Sequence, residues 1–134
     1  MEQLKIVVRY ANGRMVKGTT YNFSPGSDCF HVQPVDHKPG EPEVEIAVKD
    51  LKAVFVVKSL SGNPKYKDRA HFIASDRPYG LKLRVTFKDD EVLEGTCMDY
   101  DRDAPYFFLL PADPKSNNKR IMVVSAAARE VTRL

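Results

Sequence analysis

Ile6-Val7-Val8-Arg9-Tyr10-Ala11-Asn12-Gly13-Arg14-Met15-Val16-Lys17-Gly18-Thr19 and, 77 residues on, Leu83-Arg84-Val85-Thr86-Phe87-Lys88-Asp89-Asp90-Glu91-Val92-Leu93-Glu94-Gly95-Thr96 decide the fold. Each begins with apolar residues at every second position (Ile6, Val8, Tyr10; Leu83, Val85, Phe87), the period of a strand with one buried face. Asn12-Gly13 and Asp89-Asp90 follow, residue types that tolerate the left-handed backbone of a hairpin turn. The second strand then carries a glycine, Gly18 or Gly95. Inside a strand that residue is costly and marks a bend, a bulge or a close backbone approach.

The correspondence extends well beyond the hairpins. Displaced by 77, residues 5–57 fall on 82–134 without a gap, and nine of the 53 pairs are identical, where composition alone would give about three. The identities include Gly18/Gly95, Phe30/Phe107, Pro34/Pro111, Asp36/Asp113 and Val54/Val131. An internal duplication is the expectation. Each unit reads as five short strands. The third holds Phe30 and Val32, or Phe107 and Leu109, and stops at Pro34 or Pro111, where the ladder loses an N–H. The fourth spans Val44–Val48 or Ile121–Val124, and the last centres on Val54 or Val131. The predicted architecture is all-β: two tandem five-stranded small barrels, repeat 1 over residues 1–58 and repeat 2 over 81–134. A connector over 59–80 joins them, with a short helical turn predicted at Pro64–Phe72.

The outer faces of the units differ. Val7, Phe55 and Val57 interrupt the alternation of the first, where Arg84 and Thr132 stand opposite Val7 and Phe55 in the second. Phe108, Leu110, Met122 and Val124 replace His31, Gln33, Glu45 and Ala47. A strand apolar on both faces is covered on both. Strands one and five of the first unit are therefore expected to meet strands three and four of the second, pairing edges that would otherwise invite aggregation. The same apolar excess would alternatively face another chain.

Residues 58–81 carry a net charge of +3, which equals that of the whole chain. Lys65, Lys67, Arg69 and Arg77 are interleaved with Tyr66, His71, Phe72 and Tyr79, a composition able to grip phosphates and stack bases. These are the candidate nucleic-acid contacts. The bland alternative is a solvated linker whose aromatics pin it to the barrels.

Several classes are excluded or disfavoured. With 29% charged residues and no apolar run near the ~20 that a spanning helix needs, no membrane role is expected. Met1-Glu2 leads into strand-like alternation rather than a signal peptide, so a cytoplasmic location is expected. No nucleotide-binding glycine loop, G-x-S-x-G elbow or H-E-x-x-H pair occurs. Cys29, Cys97 and the three histidines lack zinc-ligand spacing. Asp99, Asp101 and Asp103 have the alternate spacing of a calcium loop without its glycine or later glutamate. The expectation is a protein without cofactor, metal or catalytic activity.

The hairpin Val-x-Tyr-x-Asn-Gly-Arg-x-Val-x-Gly and its second form resemble the small-barrel superfold of Sm-like and SH3-like domains. Pro78–Asp89, the stretch Phe108-Leu109-Leu110-Pro111-Ala112-Asp113-Pro114-Lys115-Ser116-Asn117-Asn118, Ile121–Val124 and Gly62-Asn63-Pro64 resemble a bacterial family of unknown function. Its members occur alone or beside PilZ domains, and the resemblance implies a cytoplasmic accessory or regulatory module. The cyclic di-GMP motifs of PilZ domains are not reproduced. After Asn22-Phe23-Ser24, Gly26 comes one residue early, and Arg9 and Arg14 are five apart. The Sm-type RNA-binding turn is likewise replaced, by Lys49-Asp50 and Ser125-Ala126. The leading expectation is a protein-binding or self-associating module. Nucleic-acid binding through the connector comes second, and cyclic-dinucleotide sensing third.

Overall fold

The computed structural model describes residues 3–24 and 26–134, so Met1-Glu2, read above for a leader, lies outside the described residues. The first half holds β1 (Leu4–Tyr10), β2 (Met15–Thr20), β3 (Cys29–Pro34), β4 (Val44–Ala47) and β5 (Leu51–Val57). The second holds β6 (Leu81–Phe87), β7 (Val92–Cys97), β8 (Tyr106–Pro111), β9 (Asn118–Val124) and β10 (Ala128–Arg133). One turn of 3₁₀ helix precedes β5 (Val48–Asp50) and another precedes β10 (Ser125–Ala127). The protein is thus all-β.

All ten strands join one antiparallel sheet in the order β10-β6-β7-β8-β9-β5-β1-β2-β3-β4. The sheet is open, and the expected two tandem five-stranded barrels are not confirmed by it. Among the described residues, the fourth and fifth strands within a half do not pair: β4 bonds only to β3, and β10 only to β6. The ladder that would have closed the first half runs instead from β5 to β9, with Phe55 opposite Ile121 and Val54 opposite Met122. The reason lies in the side chains. All seven residues of β5 are buried, a demand that a strand carrying the exposed Glu45 cannot meet and that the apolar Ile121–Val124 can. The expected helical turn at Pro64–Phe72 is also absent. The connector makes isolated turns, closed by Tyr66 N–H to the Asn63 carbonyl and Asp76 N–H to the Ile73 carbonyl.

The glycines act by close approach. A Cβ on Gly18 would lie 2.1 Å from the Gln33 carbonyl oxygen, and one on Gly95 would lie 2.2 Å from that of Leu110. Without a side chain in the way, β2 crosses β3 and β7 crosses β8 tightly, and each ladder is two residue pairs long, Gly18–Pro34 and Gly95–Pro111 among them.

Two cores result, on opposite faces of the central strands. Val54 and Val56 of β5 join the first-half core with Ile6, Val8, Phe30, Val32 and Ile46, while Ala53, Phe55 and Val57 join the second-half core. On β9, Ile121 and Val123 serve the second half, and Met122 and Val124 serve the first. Each half therefore fills its open side with its neighbour's alternate side chains.

Candidate functional site

Of the residues expected at an interface, Phe55, Val57, Met122 and Val124 are buried at the β5–β9 seam. Val7 packs against the second-half core, and Phe108, with Tyr106, against the first. Leu110 is not brought there and stays 45% exposed. The β8–β9 ladder ends at Leu109, which leaves Leu110 beyond the reach of the first half. Lys52 of β5 adds a charged link. Its buried ammonium sits 2.7 Å from Asp89 on the β6–β7 hairpin, bonds Glu91 there, and lies over the Phe87 ring.

The connector is tethered to the second half through carboxylates. Asp113, 2% exposed, accepts the Tyr66 hydroxyl at 2.6 Å and the Arg69 N–H at 3.0 Å. Asp68 accepts from the Ser116 hydroxyl and the Asn117 N–H, and Asn117 exchanges two bonds with the Ser59 backbone. Glu94, 6% exposed, accepts the Phe72 N–H and the Arg84 guanidinium, both at 2.8 Å, and its own N–H bonds the Ala70 carbonyl. Lys82 lies over the Phe72 ring.

This places the candidate nucleic-acid contacts. Lys65, Lys67 and Arg77 are exposed, and Arg77 turns back onto the Ala74 and Asp76 carbonyls. Arg69 is engaged by Asp76, with Asp113 at 3.9 Å. The four basic side chains thus do not form one free patch. Glu94, Asp113 and Asn117 were not singled out from the sequence, although the pairing of Asp113 with Asp36 across the halves was a visible signal.

The tethers depend on pH. Burial works to raise the Asp113 carboxyl, but the Tyr66 hydroxyl, the Arg69 and Lys115 N–H groups and the Arg69 charge outweigh it and hold it below its ordinary value. For Glu94, burial is likewise outweighed, by the Phe72 N–H, Arg84 and His71. Arg69, then the Ile73 N–H, lowers Asp76. Carboxylates lowered by folding contribute stability above their unfolded values, near 4, and lose it as pH falls through the folded values. Amide exchange at Phe72 and Arg69, corrected for intrinsic rates, should therefore accelerate below about pH 4. Protection unchanged between neutral and acid pH would contradict the carboxylate tether.

Two of the surface openings lie beside the end strands of the sheet. A groove of ≈ 630 Å³ runs beside β4, lined by Cys29, Ala47, Val48, Tyr106, Val124 and Ala126 among others. A notch of ≈ 440 Å³ lies beside β10 between Tyr100, Arg102, Phe107, Arg129, Glu130 and Val131. Strands β4 and β10 are the two edges of the sheet.

Fold and site define an all-β protein made of one ten-stranded sheet with a tethered connector, two unpaired edges and a groove at one of them. No helix among the described residues is long and apolar enough to cross a membrane. The chain belongs to the DUF6982 family, a family of unknown function whose model matches residues 2–134. No curated protein and no solved structure matches it.

Proposed function

We propose that this protein is a non-enzymatic interaction module, cytoplasmic and accessory to PilZ-type signalling, that receives an extended polypeptide along the β4 edge. The observation that carries the reading is the groove beside β4, where mostly apolar side chains from both halves line a channel next to a strand paired on one side only. A strand added at such an edge gains affinity from main-chain hydrogen bonds and specificity from alternate side chains in neighbouring pockets. The recurrence of strand bounds at a displacement of 77 and the shared order of strands within each half support descent from a duplicated Sm-like or SH3-like barrel whose closing ladder was given to its neighbour. Nucleic-acid binding through the connector has less support, because Arg69 and Tyr66 are committed to Asp76 and Asp113. Cyclic-dinucleotide sensing rests on motifs that the chain does not complete.

Cys29 supplies a probe. It lines the groove and is exposed, whereas Cys97 is buried and its thiol is pushed up by burial. One thiol should react rapidly with a maleimide and the other only on unfolding. A photo-crosslinker carried on Cys29 should then form adducts with protein in host extract, while the same group on Lys65→Cys in a Cys29→Ser background should not. Equal capture from both positions, or none from Cys29, would overturn the reading.

A further inference from the structure

We infer that the extended polypeptide received at β4 is the β10 strand of a second copy of this chain, so that the protein assembles head to tail. The inference rests on the interaction reading above and deepens it. Inside the chain the fourth strand of one half already pairs antiparallel with the fifth strand of the other, β9 with β5. The two strands left with a free edge among the described residues are again a fourth and a fifth, β4 and β10. The molecule thus ends, on either side, in the two components of a junction it has already made once.

Carrying the β9–β5 register across by 77 residues fixes the new pairing. Phe55 opposite Ile121 becomes Thr132 opposite Val44, and Val56 opposite Arg120 becomes Arg133 opposite Glu43. The second pair joins opposite charges directly across two strands, an arrangement that favours pairing. The side chains that would enter a neighbour are more polar than those of the internal seam. At the internal junction, Met122 and Val124 enter the first-half core. Their counterparts at β4 are Glu45 and Ala47, and the corresponding opening at β10 is the notch that Arg102 and Arg129 line. Glu45 thus replaces an apolar side chain where the receiving notch holds Arg102 and Glu130 beside Arg129, which is paired with Asp90. The same displacement turns Ala53 and Phe55 into Glu130 and Thr132, so the second junction buries less apolar surface and relies on charge. It is accordingly a weaker, salt-sensitive contact than the seam within the chain. Because β4 meets β10 rather than itself, the contact is heterologous and generates a ring or a filament.

The test is sedimentation of the full chain across a concentration series at low and at high salt. Species larger than the monomer are expected at low salt and their loss near 1 M salt, where the screening length is about 3 Å. Arg133→Glu and Glu43→Arg, both at exposed positions, should each weaken association by roughly tenfold or more, and mixing the two variants should restore it. In a Cys29→Ser background, oxidation of Thr132→Cys together with Val44→Cys should yield covalent chains of several copies. A monomer at every concentration and salt, reversals without effect, or failure of the mixture to rescue would overturn the inference. Self-assembly failing while Cys29 adducts with host proteins persist would remove the second copy and leave the interaction reading; loss of both would remove both.

Discussion

Phe55→Ala is expected to destabilise the protein by about 3–5 kcal/mol, the range for emptying a buried phenylalanine site. The size follows from position. Phe55 belongs to the first half by sequence, yet its ring is 7% exposed within the core of the second, among Leu83, Val85, Phe107 and Leu109. Removing it opens a cavity at the place where one half completes the other. Leu110→Ala, at a residue 45% exposed and outside the seam, should change stability by less than about 0.5 kcal/mol. Urea denaturation of the two variants checks both, and similar costs would show that Phe55 does not bridge the cores.

Gly95→Val is expected to be comparably damaging. The added Cβ alone would overlap the Leu110 carbonyl oxygen at 2.2 Å and the Leu109 side chain at 2.7 Å. Backbone atoms cannot move aside as a flexible side chain does, so β7 and β8 must separate at their short ladder. Overpacking a well-packed core costs roughly 1–3 kcal/mol, and here the loss of the Gly95–Pro111 and Thr96–Leu110 pairing adds to it. Gly13 carries no such constraint from space, since nothing lies within 4 Å of its Cβ position. Its φ of +93° makes substitution there a matter of backbone strain instead. A thermal melt of Gly95→Val close to that of the unmodified protein would contradict the close-approach account.

Much of this was legible in the residues because the information was local. Alternation in Ile6–Tyr10 and Leu83–Phe87, hairpin residues and strand glycines define each strand by its own chemistry. The seam was legible too, in outline, because Phe55 and Met122 are apolar where their counterparts Thr132 and Glu45 are polar. What periodicity could not decide was which strand closes which. A barrel and an open sheet share the same alternation, and only the competition between β4 and β9 for the free side of β5 separates them. The tethers were hidden for a different reason. Asp113 and Glu94 read as surface acids in a polar loop and on a solvent-facing strand position. Their burial arises only when a connector distant in sequence lies over them, as the Tyr66–Asp113 bond shows. Arg69 looked like a free cation for the same reason.

The mutual filling of the two cores by β5 and β9 is tested most directly by residue-resolved urea unfolding, following the methyl signals of Val32 and Ile46 beside those of Leu83 and Leu109. One coincident transition for all four is expected, moving as a unit to lower urea in Phe55→Ala. Separate midpoints for the two pairs, with only Leu83 and Leu109 responding to the variant, would mean that the halves stand independently and that the shared seam does not hold them together.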